Sequence, residues 1–443
     1  MSESLTAWPQ AVSSVIAFRR HPGAARSVLT EFQNRRVRRI VEHAYNRVPY
    51  YRRLLDGAGV HPRHIATVAD LQLIPITTKS DIKHLPLSDL LAESTDPATL
   101  IEHSTGGSTG EPFTVRRSWM EERVLGELRR RTLRLYGANS GALVVVATFH
   151  HRPHRNDNRF LELVLNAFGR YRVRSIFCLE SPESLLRQFR EMAPDVIGGY
   201  AGVLSRLAHV IAESGVKTHR PRFILSGGEV LSASAAKRIS AAFGAPIYDT
   251  YGSHEFSRIA WECPATGDYH RCDDGVVTEV LRNDQPVAEG EEGEIVGTAL
   301  HSYSMPFIRY RLGDVATQGQ DSCLCGQPFS TLGKIQGRVV DYFTMPDGTL
   351  LHPYQLAAAL KDKGLHWVAQ YQLIQESATS IVLKAVRLIP PSEEDIAEMK
   401  RSVETVIGNS VSFDIELVDR LELEDRGKFR VYRSLVPNVT ANV

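Results

Sequence analysis

Apolar residues recur near helical spacing between residues 25 and 60. In SVLTEFQNRRVRRIVEHAYNRVPYYRRLLDGAG, Leu29, Phe32, Val37, Ile40 and Val41 gather on one face of a predicted helix. Pro49 breaks the pattern, and Gly57 and Gly59 end it. A polar, proline-punctuated connector, VADLQLIPITTKSDIKHLP, leads to a charged helix at about 118–137 that carries Glu121, Glu122, Arg123, Arg129, Arg130 and Arg131. The pattern then changes. Short apolar runs (ALVVVATF, RVRSIFCL, DVIGGYA, RPRFILSGG, PIYDTYG) alternate with helical stretches (NRFLELVLNAFG, SPESLLRQFREMAP, GVLSRLAHVIAESG, SASAAKRISAAFG). Such alternation predicts βαβ units and an α/β fold with a mainly parallel sheet covered on both faces.

After about residue 275 the strands become short and alternating, with Gly-rich turns, which predicts a small antiparallel subdomain. Pro346-Asp347-Gly348 marks a turn between two apolar runs. The last hundred residues read as helix, two strands, helix and a final strand in SFDIELVD, a small α+β unit. The expected boundary lies near Gly337–Asp341, dividing the chain into 1–337 and 338–443. No repeat of solenoid length is seen.

Composition narrows the class. The 443 residues are 43% hydrophobic and 23% charged, as in ordinary globular proteins. With 52 Lys+Arg against 51 Asp+Glu the net charge is +1, which argues against nucleic acid as a partner. No run approaches the roughly 18 apolar residues of a membrane span. The N-terminal arginines follow the apolar run instead of preceding it, against a secretory signal. The cysteines are five and scattered: Cys178, Cys263, Cys272, Cys323 and Cys325. Such a set fits a reducing cytoplasm better than a disulfide framework.

Three stretches hold candidate chemistry. HSTGGSTGEPFTV, residues 103–115, surrounds glycines with hydroxyls, a composition that cradles phosphate through backbone N–H groups, although a Ser/Gly-rich surface turn reads the same way. It lacks the order of a Walker loop. WECPATGDYHRCDDG and DSCLCGQP supply cysteines and a histidine suited to a Cys₃His zinc tetrahedron, or are ordinary reduced cysteines. TFHHRPHRNDNRF follows a strand end, where open α/β sheets place ligands, or is a solvated basic loop.

Further segments follow in order: SGGEV at 226–230, YDTYGSHEF at 248–256, RYRLGD at 309–314, GRVVD at 337–341 and RGKFR at 426–430. Together with the loop and with VEHAYNRVPYYRRLLDGAGV and IPITTKSDI near the start, the chain resembles the adenylate-forming enzymes over nearly its whole length. Among acyl-CoA synthetases, nonribosomal adenylation domains and luciferases, it is most similar to the phenylacetate–CoA ligase and CapK-like group. The resemblance implies that Ser104, Thr105, Gly106, Gly107, Ser108, Thr109 and Gly110 hold the ATP phosphates, with Phe113 after Pro112 where many relatives have Lys. It implies an adenine wall of Gly227, Gly228 and Glu229, adenine stacking by Tyr251, and ribose binding by Asp314. Asp249, Gly252 and Ser253 join the nucleotide site, and Glu255 ligates Mg²⁺. Arg338 reaches ribose or phosphate, and Lys428 neutralises charge on the acyl carboxylate and α-phosphate.

By the same resemblance Phe149, His150, His151 and Tyr200 line the acyl pocket, and Cys263, His270, Cys323 and Cys325 bind a structural Zn²⁺, leaving Cys272 spare. The implied reaction converts a carboxylic acid, probable class aromatic, and ATP to acyl-adenylate and pyrophosphate, then passes the acyl group to coenzyme A. TMPDGTLLHP departs from phenylacetate ligases toward CapK-like members, so an amine, a carrier-protein thiol or another small nucleophile stays open as acceptor. The C-terminal unit is expected to rotate about a hinge near Arg338–Asp341, and a homodimer is compatible with the family.

Overall fold

The computed structural model describes residues 7–93, 95–104, 113–148, 171–177, 180, 182–338, 343–346, 350–351, 356, 359–360, 365–408, 410–421 and 431–436. Its centre is a mixed sheet of twelve strands among the described residues. One half is parallel, in the spatial order Arg172–Phe177, Leu143–Thr148, Val196–Gly199, Phe223–Gly227, Ile247–Ser253. Val145, Ala147, Ile197 and Ile224 on one face pack against the helices Pro182–Met192, Ala201–Ser214 and Ala233–Phe243. Val144, Val196 and Phe223 on the other meet Leu133 of the helix Trp119–Leu135. Burial on both faces is what makes Leu143–Thr148, Val196–Gly199 and Phe223–Gly227 read as continuous apolar runs, whereas the edge strand Arg172–Phe177 exposes its first four residues.

The chain steps outward from Leu143–Thr148 to Arg172–Phe177, then returns past it to Val196–Gly199. Such a reversal opens a crevice beyond the carboxyl ends of the strands. Thr148 and Gly199 end the two strands that flank it.

The antiparallel strands expected after residue 275 start earlier and are joined to this sheet. A tight turn at Ser253–Ser257 reverses the chain, and Ser257–Glu262, Tyr269–Arg271, Thr331–Arg338, Tyr310–Gln318, Glu292–Ala299, Val276–Arg282 and Gln285–Pro286 follow in spatial order. Two helices, Arg26–Arg47 and Pro49–Gly57, cover part of this half through Val37, Ile40, Val41 and Tyr51 against Leu300 and Ile308. A helix at Ala7–Arg20 was not expected. From Ala11 onward its buried residues are Ala11, Ser14 and Phe18, while Val12 and Ile16 are exposed, so its apolar residues mark no single face.

The C-terminal unit has a four-stranded sheet in the order Ser412–Leu417, Ser380–Arg387, Val368–Ser377, Tyr432–Ser434. The helix Glu393–Ile407 buries Met399, Val403 and Ile407, and Ser392 with Asp395 caps its start. The last strand is therefore Tyr432–Ser434 and not SFDIELVD; three residues are too few to carry a period. No described helix is long and apolar enough to cross a membrane.

Candidate nucleotide and metal sites

The strand Phe223–Gly227 ends in Gly227, Gly228 and Glu229 at the crevice. Gly228 has φ 78°, and a Cβ there would stand 2.9 Å from Cε1 of Tyr200. A Cβ on Gly227 would stand 2.8 Å from the Thr250 Oγ1. Both glycines are thus required by close approach, and they present bare backbone as a flat wall. Glu229 Oε2 accepts the Gly202 N–H at 2.8 Å. That bond satisfies one donor at the start of Ala201–Ser214, where Tyr200 supplies no side-chain cap.

Along Ile247–Ser253, Asp249, Tyr251 and Ser253 share one face. The Tyr251 hydroxyl donates to Asp314 Oδ2 at 2.5 Å. Asp314 is 8% exposed and lies opposite Arg338 in the ladder. Asp249 sits one row deeper. Its Oδ2 accepts the Tyr269 hydroxyl at 2.7 Å, and its N–H donates to Glu262 Oε2 at 2.7 Å. Burial pushes the Asp249 carboxyl up to about 6, despite relief from the Tyr269 hydroxyl. A carboxyl raised in the folded state binds its proton more tightly there than in the unfolded chain. Stability is therefore expected to fall as pH rises from about 4 to about 6, by up to about 3 kcal/mol, and then to level off. Denaturant titrations of Asp249→Asn across that window should lose this component; an unchanged slope would show that Asp249 does not supply it.

The turn after Tyr251 needs Gly252, because a Cβ there would meet the Ser257 carbonyl oxygen at 2.2 Å. Ser253 Oγ accepts the Phe256 N–H at 3.2 Å and closes the turn. Glu255 is 9% exposed and its carboxylate forms no hydrogen bond or ion pair with the described residues. A carboxylate so placed is suited to a hard cation. The strands Ile101–Ser104 and Thr114–Arg117 form a hairpin with Ser104 opposite Thr114. Arg117 donates to the His254 carbonyl, and the His103 ring lies 5.9 Å from that of His254. Glu122 fastens the assembly, meeting His103 at 2.6 Å, Arg117 at 3.0 Å and Arg129 at 3.3 Å. Burial alone would raise its carboxyl; His103, Arg129 and Arg117 outweigh that and hold it well below the usual range. The hairpin's root is thereby pinned beside Glu255. Sequence reading missed this clamp, whose one signal is Glu122 and Arg129 two helical turns apart.

Thr105, Gly106, Gly107, Ser108, Thr109, Gly110, Phe149, His150, His151 and Lys428 lie outside the described residues, as do the side chains of Ser104 and Arg338.

The cysteine site does assemble. Cys263 follows Ser257–Glu262, His270 stands on Tyr269–Arg271, and Cys323 and Cys325 come from a distant loop. One ligand atom from each lies within 4.8 Å of all the others. Cys263 and Cys323 sulfurs are 3.8 Å apart, and Cys325 Sγ is 3.3 Å from His270 Nε2. A tetrahedron with Zn–S bonds of about 2.3 Å has edges of about 3.8 Å, so the donor set fits zinc. Burial lowers the His270 imidazole to about 4, which leaves it neutral as a ligand must be. Cys272 stands apart in the apolar core; burial pushes its thiol up to about 12 against the opposing pull of Arg131.

The family model described as the CapK C-terminal domain matches residues 343–434. A phenylacetate-coenzyme A ligase of Thermus thermophilus is 28% identical over 349 residues, 76% of this chain and 76% of that enzyme. One from Pseudomonas putida is 24% identical over 453 residues, 96% of each. Both comparisons point to the phenylacetate–CoA ligase and CapK-like group of adenylate-forming enzymes, which this chain resembles. The chain also shares its fold with 2-hydroxyisobutyryl-CoA ligase, solved in the postadenylation state in complex with R3-HIB-AMP. The TM-score is 0.77 at 22% identity, over 93% of this chain and 90% of that one.

Proposed function

We propose that the chain activates a carboxylic acid, of aromatic class, with ATP and transfers it to coenzyme A. The observation that carries this reading is the grouping of Tyr251, Asp314 and Glu255, which has no partner among the described residues, at one end of the sheet, with the glycine-loop hairpin pinned beside them. In the first half-reaction an acid oxygen attacks the α-phosphorus of ATP, the bond to the β-phosphate breaks, and pyrophosphate leaves. Tyr251 offers a face for adenine against the Gly227–Gly228 wall, and Asp314 accepts from ribose hydroxyls. Mg²⁺ held by Glu255 would supply charge neutralisation on the phosphates. Lys428 would meet the reacting carboxylate and α-phosphate, where a buried cation offsets developing negative charge. In the second half-reaction the thiolate sulfur of coenzyme A attacks the acyl carbon and AMP leaves.

Coenzyme A as acceptor and the aromatic class are supported by the phenylacetate–coenzyme A ligases among the relatives. We place the hinge between 1–337 and 338–443, so that one nucleotide site serves both half-reactions. The C-terminal match to CapK favours keeping an amine or carrier thiol as the second reading of the acceptor.

Mass spectrometry of reactions with ATP, Mg²⁺ and a panel of aromatic acids, with and without coenzyme A, tests both. AMP together with one acyl-CoA mass is the expected result. An acyl-adenylate that accumulates and ignores coenzyme A would move the acceptor to the second reading. Absence of AMP with aromatic and aliphatic acids alike would overturn acid activation.

A further inference from the structure

Gln375 is fully buried on the strand Val368–Ser377, on the same face as the core residue Leu373. An amide in such a place must be hydrogen-bonded or it destabilises the core. Gln375 Oε1 accepts the Thr344 N–H at 2.9 Å, and Nε2 donates to the Thr344 carbonyl at 2.7 Å. This pair copies one rung of a β ladder, with a side chain standing in for a backbone. Oε1 also accepts the Ser434 hydroxyl at 2.7 Å. The backbone adds to the join, since the Gln375 carbonyl accepts the Leu435 N–H at 2.8 Å.

The two partners are far apart in the chain and informative in position. Thr344 comes three residues after Asp341, at the exit from the proposed hinge. Ser434 comes six residues after Lys428, on the strand that receives the lysine's segment. A leucine of similar volume would fill the same core space, but it would release the side-chain bonds to Thr344 and Ser434 and leave only the backbone ladder to Tyr432–Ser434. The amide therefore has a task that packing alone does not require.

Resting on the role proposed above for Lys428, we propose that Gln375 is a positioning residue for adenylation, joining the hinge exit at Thr344 to the lysine segment's exit at Ser434 so that both move as one piece. Without that join the hinge still turns, but Lys428 arrives displaced. A displacement of about 1 Å at a reacting group costs about 10²-fold in rate. The second half-reaction does not call on Lys428, so it should be spared.

The test separates the half-reactions in the full-length protein. Acid-dependent pyrophosphate exchange reads adenylation; a synthesised acyl-adenylate plus the acceptor found above reads transfer. In Gln375→Leu, exchange should fall about 10²-fold while transfer stays within about threefold of the parent. Ser434→Ala, which removes the hydroxyl's bond to Gln375 Oε1 along with its local bond from the Val436 N–H and keeps the core intact, should lower exchange by about fivefold and leave transfer alone. Adding Gln375→Leu to Lys428→Ala should cause no further loss of exchange, as expected of groups that act as a unit. Equal losses in both half-reactions would reduce Gln375 to a structural role and overturn the proposal. So would parent-level exchange in Gln375→Leu, or in Ser434→Ala should the leucine variant fail to fold. Parent-level exchange in Lys428→Ala alone would instead remove the reading of Lys428.

Discussion

Replacing Glu255 with Gln should lower acid-dependent pyrophosphate exchange by about 10²–10³-fold, the usual cost of losing one preorganised electrostatic contact to a reacting centre. The substitution keeps volume and removes charge. Because the Glu255 carboxylate forms no hydrogen bond or ion pair with described residues, no fold-stabilising contact is lost with it. The thermal midpoint should therefore stay close to that of the parent, which separates a cation ligand from a structural acid. Raising Mg²⁺ should restore part of the rate, since a ligand lost weakens affinity before it blocks chemistry. Exchange within about threefold of the parent at low Mg²⁺ would take Glu255 out of the metal-binding role.

Loss of the zinc site should show mainly in stability. Cys325 and His270 are separated by 55 residues, so a metal joining them closes a long loop. Cross-linking a loop of that length is worth about 4 kcal/mol on the chain-entropy scale. Cys325→Ser, the exposed member of the set, should lower the midpoint by roughly 5 °C. Metal analysis of the parent should find one zinc per chain, and chelation should reproduce the variant's loss. A parent that keeps its midpoint after complete zinc removal would show that the four side chains cluster without needing the ion. The effect should reach the nucleotide side as well. Glu262, next to Cys263, accepts the Asp249 N–H, and the strand holding Tyr251 is the ladder neighbour of Ser257–Glu262, which ends just before Cys263.

Much of the parallel half was legible because strands buried on both faces leave unbroken apolar runs such as ALVVVATF and RPRFILSGG. Cys263, His270, Cys323 and Cys325 were grouped from the family resemblance, and the structure brings those four together while Cys272 stands apart against apolar core and Arg131. Other features leave no such trace. The Glu122 clamp joins a hairpin to a helix through side chains, and neither helical nor strand period reports such a contact. The antiparallel strands were read, but their continuity with the parallel sheet depends on the Ser253–Ser257 turn, where Ser257 takes φ 63° without being glycine. Gln375 looked like one more polar residue in YQLIQES, because its partners are 31 and 59 residues away.

The N-terminal helices have a consequence for how the protein is made. His21 pairs with Asp274, which also holds Arg131, and Arg26 donates to the Pro328 carbonyl at 3.0 Å across 302 residues of chain. At bacterial or eukaryotic elongation speeds of about 5–20 residues per second, the first helices wait roughly 15–60 s for these partners to be synthesised. During that interval the apolar side of Arg26–Arg47, with Leu29, Phe32, Val37 and Ile40, has no sheet to cover it. The helix Arg26–Arg47 is thus synthesised long before it can dock, and nascent chains stalled before residue 274 should present it to chaperones.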